Sequence, residues 1–171
     1  MAASEPAKNH VRLVMAAVVD NVALARVTAA AFATQLDFTL EEIEDIRVAV
    51  SEAVTNAVIH AYGGRAGGAD AAASGTSPVS GTVNIDLAHD GETLTITVSD
   101  HGRGIPDVAL ARRPAFTTDP ERMGLGFAIM ESFCDRLDVV SEVGRGTTVT
   151  MIKRPRAMTP RTEGAAGDAG T

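Results

Sequence analysis

Tryptophan is absent from this chain, tyrosine and cysteine occur once each, and aromatic residues make up only 4% of it. A core must then be assembled from Val, Ile, Leu, Ala and Met. The single cysteine, Cys134, excludes an intrachain disulfide and a cysteine-based metal cluster. His and Cys at metal-ligand spacing are missing as well. No apolar run approaches the ~18 residues of a membrane-spanning helix, and the polar N-terminal residues do not form a signal peptide. The expected setting is a reducing cytoplasm, with no membrane contact. A net charge of -7 and a pI near 5.0 argue against a sequence-independent nucleic-acid binder, which needs a basic face. No direct nucleic-acid contact is therefore expected, whereas a basic protein partner is compatible. Neither the Gly-Lys-Ser/Thr of a P-loop nor a Rossmann glycine fingerprint is present.

What is there is the composition of a globular protein, 45% apolar and 22% charged over 171 residues, enough for one domain with a real core. Residues 1–9 are expected to form a disordered leader, and 154–171, with two prolines and a Gly/Ala-rich end, a disordered tail. Between them, 10–153 reads as a single domain. Val11 to Val19 is β-branched and apolar, a first strand. Asp20-Asn21 offers an N-cap for an Ala-rich amphipathic helix to about Gln35, on which Arg26 is a lone cation. Thr39 followed by Glu42 is a capping-box pattern that starts the next helix near Leu40. That helix is predicted to run to Tyr62, before Gly63-Gly64. From Gly63 to Ser80 the chain turns to Gly, Ala and Ser, a flexible insertion unable to bury a core.

Alternation then returns at Thr82–Leu87 and Thr93–Val98, two strands joined by a tight Asp90-Gly91 turn. A short helix is expected from Asp107 to Arg112, a loop or lid over 113–123, a helix from Phe127 to about Asp135, and strands at Leu137–Val143 and Thr147–Ile152. Strands segregated from helices in this order predict an α+β two-layer sandwich with a mainly antiparallel sheet.

Four clusters carry polar chemistry. Glu52 and Asn56 lie four apart, one turn above the other on the long helix. Such a pair inside an Ala/Val/Ile-rich helix is costly to bury without partners, though a solvated polar stripe has the same spacing. Asp100-x-Gly102-x-Gly104 leaves a strand, where an ordinary turn also favours Asp and Gly. Gly124-Leu125-Gly126 opens a helix, whose free N–H groups attract anions. Gly144-Arg145-Gly146-Thr147-Thr148 also fits a plain hairpin.

Taken in order, Glu52/Asn56, Asp100-His101-Gly102-Arg103-Gly104-Ile105, Gly124-Leu125-Gly126 and Gly146-Thr147-Thr148 resemble the ATP-binding boxes of the Bergerat fold. That fold, with a mainly antiparallel mixed sheet packed on helices, is shared by gyrase B subunits, histidine-kinase catalytic domains and anti-sigma serine kinases. The flanking stretches Ala25-Arg26-Val27-Thr28, Gln35-Leu36-Asp37, Val50–Ala57, Phe116-Thr117-Thr118 and Gly126–Glu131 are similar to those of the anti-sigma F factors, serine kinases of a sporulation switch. The resemblance covers about residues 10–153.

By position, the resemblance implies that Asn56 coordinates Mg²⁺ on the phosphates of ATP and that Glu52 is the general base for a substrate serine. Asp100 would accept from the adenine amino group, helped by Thr147 or Thr148 through water. Gly102 and Gly104 would pass close to base and ribose, and Gly124 and Gly126 would present N–H groups to the phosphates. Arg122 would reach the γ-phosphate, and Arg26 would belong to a protein-docking surface. The implied protein is a homodimer that holds a sigma factor inactive and phosphorylates an anti-anti-sigma protein. Three alternatives share the boxes: a general-stress anti-sigma kinase, a sigma-binding module that holds ATP without phosphotransfer, and a histidine-kinase catalytic domain. Against the last, no dimerisation helix with an exposed phosphoacceptor His precedes residue 20.

Overall fold

The computed structural model describes residues 7–62, 81–113 and 124–156. Most of the predicted leader, the insertion 63–80, all but the first residue of the predicted lid 113–123, and the tail beyond Arg156 lie outside the described residues.

Five strands form one sheet: β1 (Asn9–Ala16), β2 (Thr82–His89), β3 (Leu94–Asp100), β4 (Arg136–Glu142) and β5 (Gly146–Lys153), in the order β1-β2-β3-β5-β4. Among the described residues every neighbouring pair runs antiparallel, in keeping with the mainly antiparallel sheet expected. Burial alternates along the strands. Val83, Ile85, Leu87, Ile96, Val98, Val149 and Met151 face the core, while Thr95, Thr97, Thr148 and Thr150 turn to the other face. On the core face lie α1 (Asp20–Ala33), α2 (Leu40–Asn56) and α4 (Gly126–Phe133), whose Ala29, Phe32, Ile46, Val50, Val54 and Met130 join the strand side chains in one cluster. A third, short helix, α3 (Val108–Ala111), is capped by Asp107, whose carboxylate accepts from Leu110 N. The result is the expected two-layer α+β sandwich.

Several boundaries differ from the sequence reading for physical reasons. β1 begins at Asn9 and stops at Ala16, because its register against β2 runs from Asn9 opposite His89 to Ala16 opposite Thr82. His10, on that strand, bonds Asp86 (2.8 Å), which also accepts from Arg12 (2.7 Å). Asp20 and Asn21 do not cap α1. Val19 occupies the N-cap with helical dihedrals and no side-chain bond, and the Asn21 amide donates back to Ala16 O at 2.9 Å. The Asp90-Gly91 turn spans four residues, with Asp90 Oδ1 accepting from Glu92 N and Thr93 N. The long helix changes character at Asn56: Ala57–Ala61 is a π-helical turn.

The start of α2 follows the sequence closely. Thr39 Oγ1 accepts from Glu42 N at 3.2 Å, and Glu42 returns a bond to Thr39 N at 2.9 Å, a complete capping box. Glu42 is buried, and its other oxygen accepts from Arg156 N at 2.9 Å. Burial pushes this carboxyl up, but the Thr39 and Arg156 bonds together with the Lys153 charge outweigh it and hold the group below the ordinary glutamate range. The box therefore fixes α2, the helix that carries Glu52 and Asn56. Thr39→Ala is expected to lower stability by about 1 kcal/mol in equilibrium denaturant unfolding, with the slope unchanged.

Candidate functional site

A cleft of about 960 Å³ opens between the C-terminal half of α2, the N-terminus of α4 and the ends of β3 and β5. This is the size of an ordinary small-molecule pocket. Glu52, Asn56, Asp100, Gly104, Gly124, Gly126 and Thr147 all line it, so residues from four separate stretches of sequence converge. Val98, Val149, Ile105, Leu110 and Phe127 supply apolar wall.

Asp100 ends β3 and is only 6% exposed. Burial raises its carboxyl above the usual aspartate range, and bonds to Oδ1 from Gly102 N (2.9 Å) and Thr147 N (3.3 Å) offset this only in part. Both bonds land on the same oxygen. That geometry fixes the carboxylate from the backbone at the wall of the cleft, with Oδ1 engaged twice.

Close backbone contacts make this arrangement possible. A Cβ at Gly146 (φ +110°) would stand 2.0 Å from Asp100 O, and one at Gly104 (φ +71°) would stand 2.2 Å from Glu142 O. At Gly102 a Cβ would meet Ala61 O at 2.4 Å. Gly102 does not line the cleft; its close approach is to the end of the π-helical turn. These glycines let β5, the loop after β3 and the helix end crowd around Asp100.

At the other end of the cleft, Gly126 opens α4 beneath the half-buried Glu52 and Asn56. A Cβ there would lie 2.9 Å from Glu52 Oε2 and 3.3 Å from Asn56 Nδ2. No side chain caps this helix, and Gly124 precedes it in the left-handed region at φ +65°. The first-turn N–H groups are thus directed into the cleft without a capping competitor, next to a carboxylate and a carboxamide.

Strand parity separates the two threonines. Thr147 shares the core face with Val149, lines the cleft and bonds Ser141 Oγ at 2.8 Å, whereas Thr148 lies on the opposite face and is not at the cleft. Arg26 is exposed on α1, beside a shallow groove of about 200 Å³ formed with Glu44, Arg47, Val48 and Ser51, away from the cleft. Arg122 lies outside the described residues. Gly146 belongs to a stretch singled out in the sequence, whereas Ser141 carried no signal there. The Gly-Arg-Gly-Thr-Thr run holds a signal for Gly146, but only the register of β4 and β5 brings Ser141 to Thr147. His60 and Arg103 also line the cleft. Half-buried Cys134 has its thiol pushed up by burial to about 11, which keeps it protonated.

The histidine kinase-like ATPase domain family matches residues 15–153, a span that contains every site residue named above. The anti-sigma F factor of Anoxybacillus flavithermus is 45% identical over 148 residues, covering 85% of this chain and 92% of that protein. The chain belongs to the anti-sigma F factor family. The anti-sigma F factor of Clostridium acetobutylicum is 43% identical over 149 residues, 86% of this chain and 94% of its own length. Among solved structures, the RsbU and RsbW domains of a Mycobacterium tuberculosis protein match with a TM-score of 0.55 and 22% identity, over 86% of this chain and 32% of that longer one. That likeness confirms the fold.

The buried carboxyl of this family member carries a pH signature. Because its folded-state pKa is raised, Asp100 binds its proton more tightly folded than unfolded, so it lowers stability increasingly as pH rises from the ordinary aspartate range through the folded value. Asn keeps the acceptor for Gly102 and Thr147 and cannot ionise. Asp100→Asn is therefore expected to unfold at a higher temperature than wild type at pH 7 without ligand, with the gain vanishing below about pH 3.5 in a series of thermal melts.

Proposed function

We propose that the chain is an ATP-dependent protein serine kinase that also acts as an anti-sigma factor. The observation that carries this reading is the junction at Gly126, where Glu52 and Asn56, one helical turn apart, face the uncapped N-terminus of α4. A module that only held nucleotide would have no use for a carboxylate at the anion end of its cleft, because it would repel phosphate. A base for a hydroxyl nucleophile is needed there.

The residues fit ATP and Mg²⁺. Asp100, which lines the cleft, would accept from the adenine amino group, with Thr147 beside it supporting that end. The N–H groups at Gly124, Leu125 and Gly126 suit the phosphates, and Asn56 offers a neutral oxygen that suits a hard cation. Mg²⁺ held there supplies charge neutralisation on the phosphates. Glu52 takes the proton of the incoming serine hydroxyl as its oxygen bonds to the γ-phosphorus and the bond to ADP breaks. Arg122 is assigned to the γ-phosphate by its place in the family pattern.

The partners in this reading are a sporulation sigma factor, held inactive, and an anti-anti-sigma protein that is phosphorylated on serine and so lost as a partner. Exposed Arg26 and its groove between α1 and α2 form the docking surface, used by a homodimer in the cytoplasm. The reading draws support from the relatives' shared name and their near full-length match. Transfer of labelled γ-phosphate to the anti-anti-sigma protein tests it. Glu52→Ala should cut transfer by at least 10²-fold while ATP stays bound; loss of ATP binding would make Glu52 structural. ATP binding without transfer by wild type would favour the sigma-binding module.

A further inference from the structure

We propose that Tyr62 is a positioning residue for the base end of the cleft, an assignment that rests on the adenine-nucleotide reading above. Between Asp100 and Ile105 the backbone leaves the sheet, and four of its N–H groups have fixed acceptors. His101 N donates to the Tyr62 hydroxyl (3.0 Å), Gly102 N to Asp100 Oδ1 (2.9 Å), Arg103 N to Ala61 O (3.0 Å) and Ile105 N to Ser141 Oγ (2.7 Å). Two of the four acceptors come from the end of one helix, at consecutive residues. Both lie where the helix ends in a π-helical turn, Ala57–Ala61, with Tyr62 as its C-cap.

Tyr62 is itself held from the other side. Its hydroxyl donates to Thr82 O at 2.9 Å, and a Cβ at Gly81 would stand 2.6 Å from its ring, so the ring rests on bare backbone. A hydroxyl has one proton, and here that proton goes to Thr82 while the lone pair serves His101, the residue next to Asp100. The start of β2 thus braces Tyr62, and Tyr62 braces the loop that sets the direction of the Asp100 carboxylate. This chain's only tyrosine links three stretches of sequence at one atom.

The test compares the full-length wild-type chain with Tyr62→Phe, which keeps the ring over Gly81 and removes only the hydroxyl. Calorimetric titrations with Mg-ADP and Mg-ATP are run beside thermal melts of the unliganded proteins. Because His101 is exposed, water replaces the lost bond, so the loss expected is modest: roughly three- to tenfold weaker binding. The factor should be the same for both nucleotides, since the defect lies at the base and not at the phosphates, and the unliganded melting temperature should be unchanged. Tyr62→Leu, which also removes the ring, should lower that temperature. Wild-type affinity in Tyr62→Phe, with or without a lower melting temperature, overturns the proposal, as does a loss confined to ATP. If the wild-type chain binds neither nucleotide, the adenine-nucleotide reading falls first and takes this proposal with it.

Discussion

A carboxylate that is nearly out of contact with water dictates the construction around it. Burying Asp100 opposes its charge, and the two backbone N–H groups on Oδ1 do not fully restore its ordinary acidity. Those donors can reach it only because β5 passes within van der Waals range of the Asp100 carbonyl at Gly146, and because the loop after β3 lies against the helix end at Gly102 and against Glu142 at Gly104. A side chain at any of these three positions would push apart elements that must touch. Stability is given up at Asp100 so that one fixed acceptor faces the cleft, the pattern of a binding site and not of a core.

The cleft has a second pole of different character. At Gly126 the helix dipole and free N–H groups of α4 favour an anion, and the Glu52 carboxylate stands a turn from Asn56 beside them. Acceptor at one end and anion-binding donors at the other match the polarity of an adenine nucleotide. The rigidity of α2 connects the poles, since its capping box fixes one end and its π-helical turn supports the Asp100 loop at the other.

Local chemistry was legible in the sequence, and contacts across the chain were not. Thr39 and Glu42 announce the start of α2 because the capping box needs only four residues. Glu52 and Asn56 share a face by helical arithmetic. By contrast, Asp20 and Asn21 have the composition of a cap, yet the Asn21 side chain donates to Ala16 O at the end of β1. Gly102 and Gly104 were found as a pair, but Gly102 makes its close approach to protein, at Ala61, a partner some forty positions away. Thr147 and Thr148 are neighbours with the same side chain, and only strand parity decides which one faces the cleft. Tyr62 carried no signal beyond ending an apolar helix, because its two bonds depend on where Thr82 and His101 arrive in space.

The central claim is that the cleft holds an adenine nucleotide with its base at Asp100 and its phosphates at Gly126. A crystal structure with a non-hydrolysable Mg-ATP analogue tests this most directly. The account predicts the adenine amino group within hydrogen-bond distance of the Asp100 carboxylate, the metal on the Asn56 side-chain oxygen, and Glu52 facing the γ-phosphate. A nucleotide bound in the reverse sense, or bound with Asp100 out of reach of its base, would contradict it.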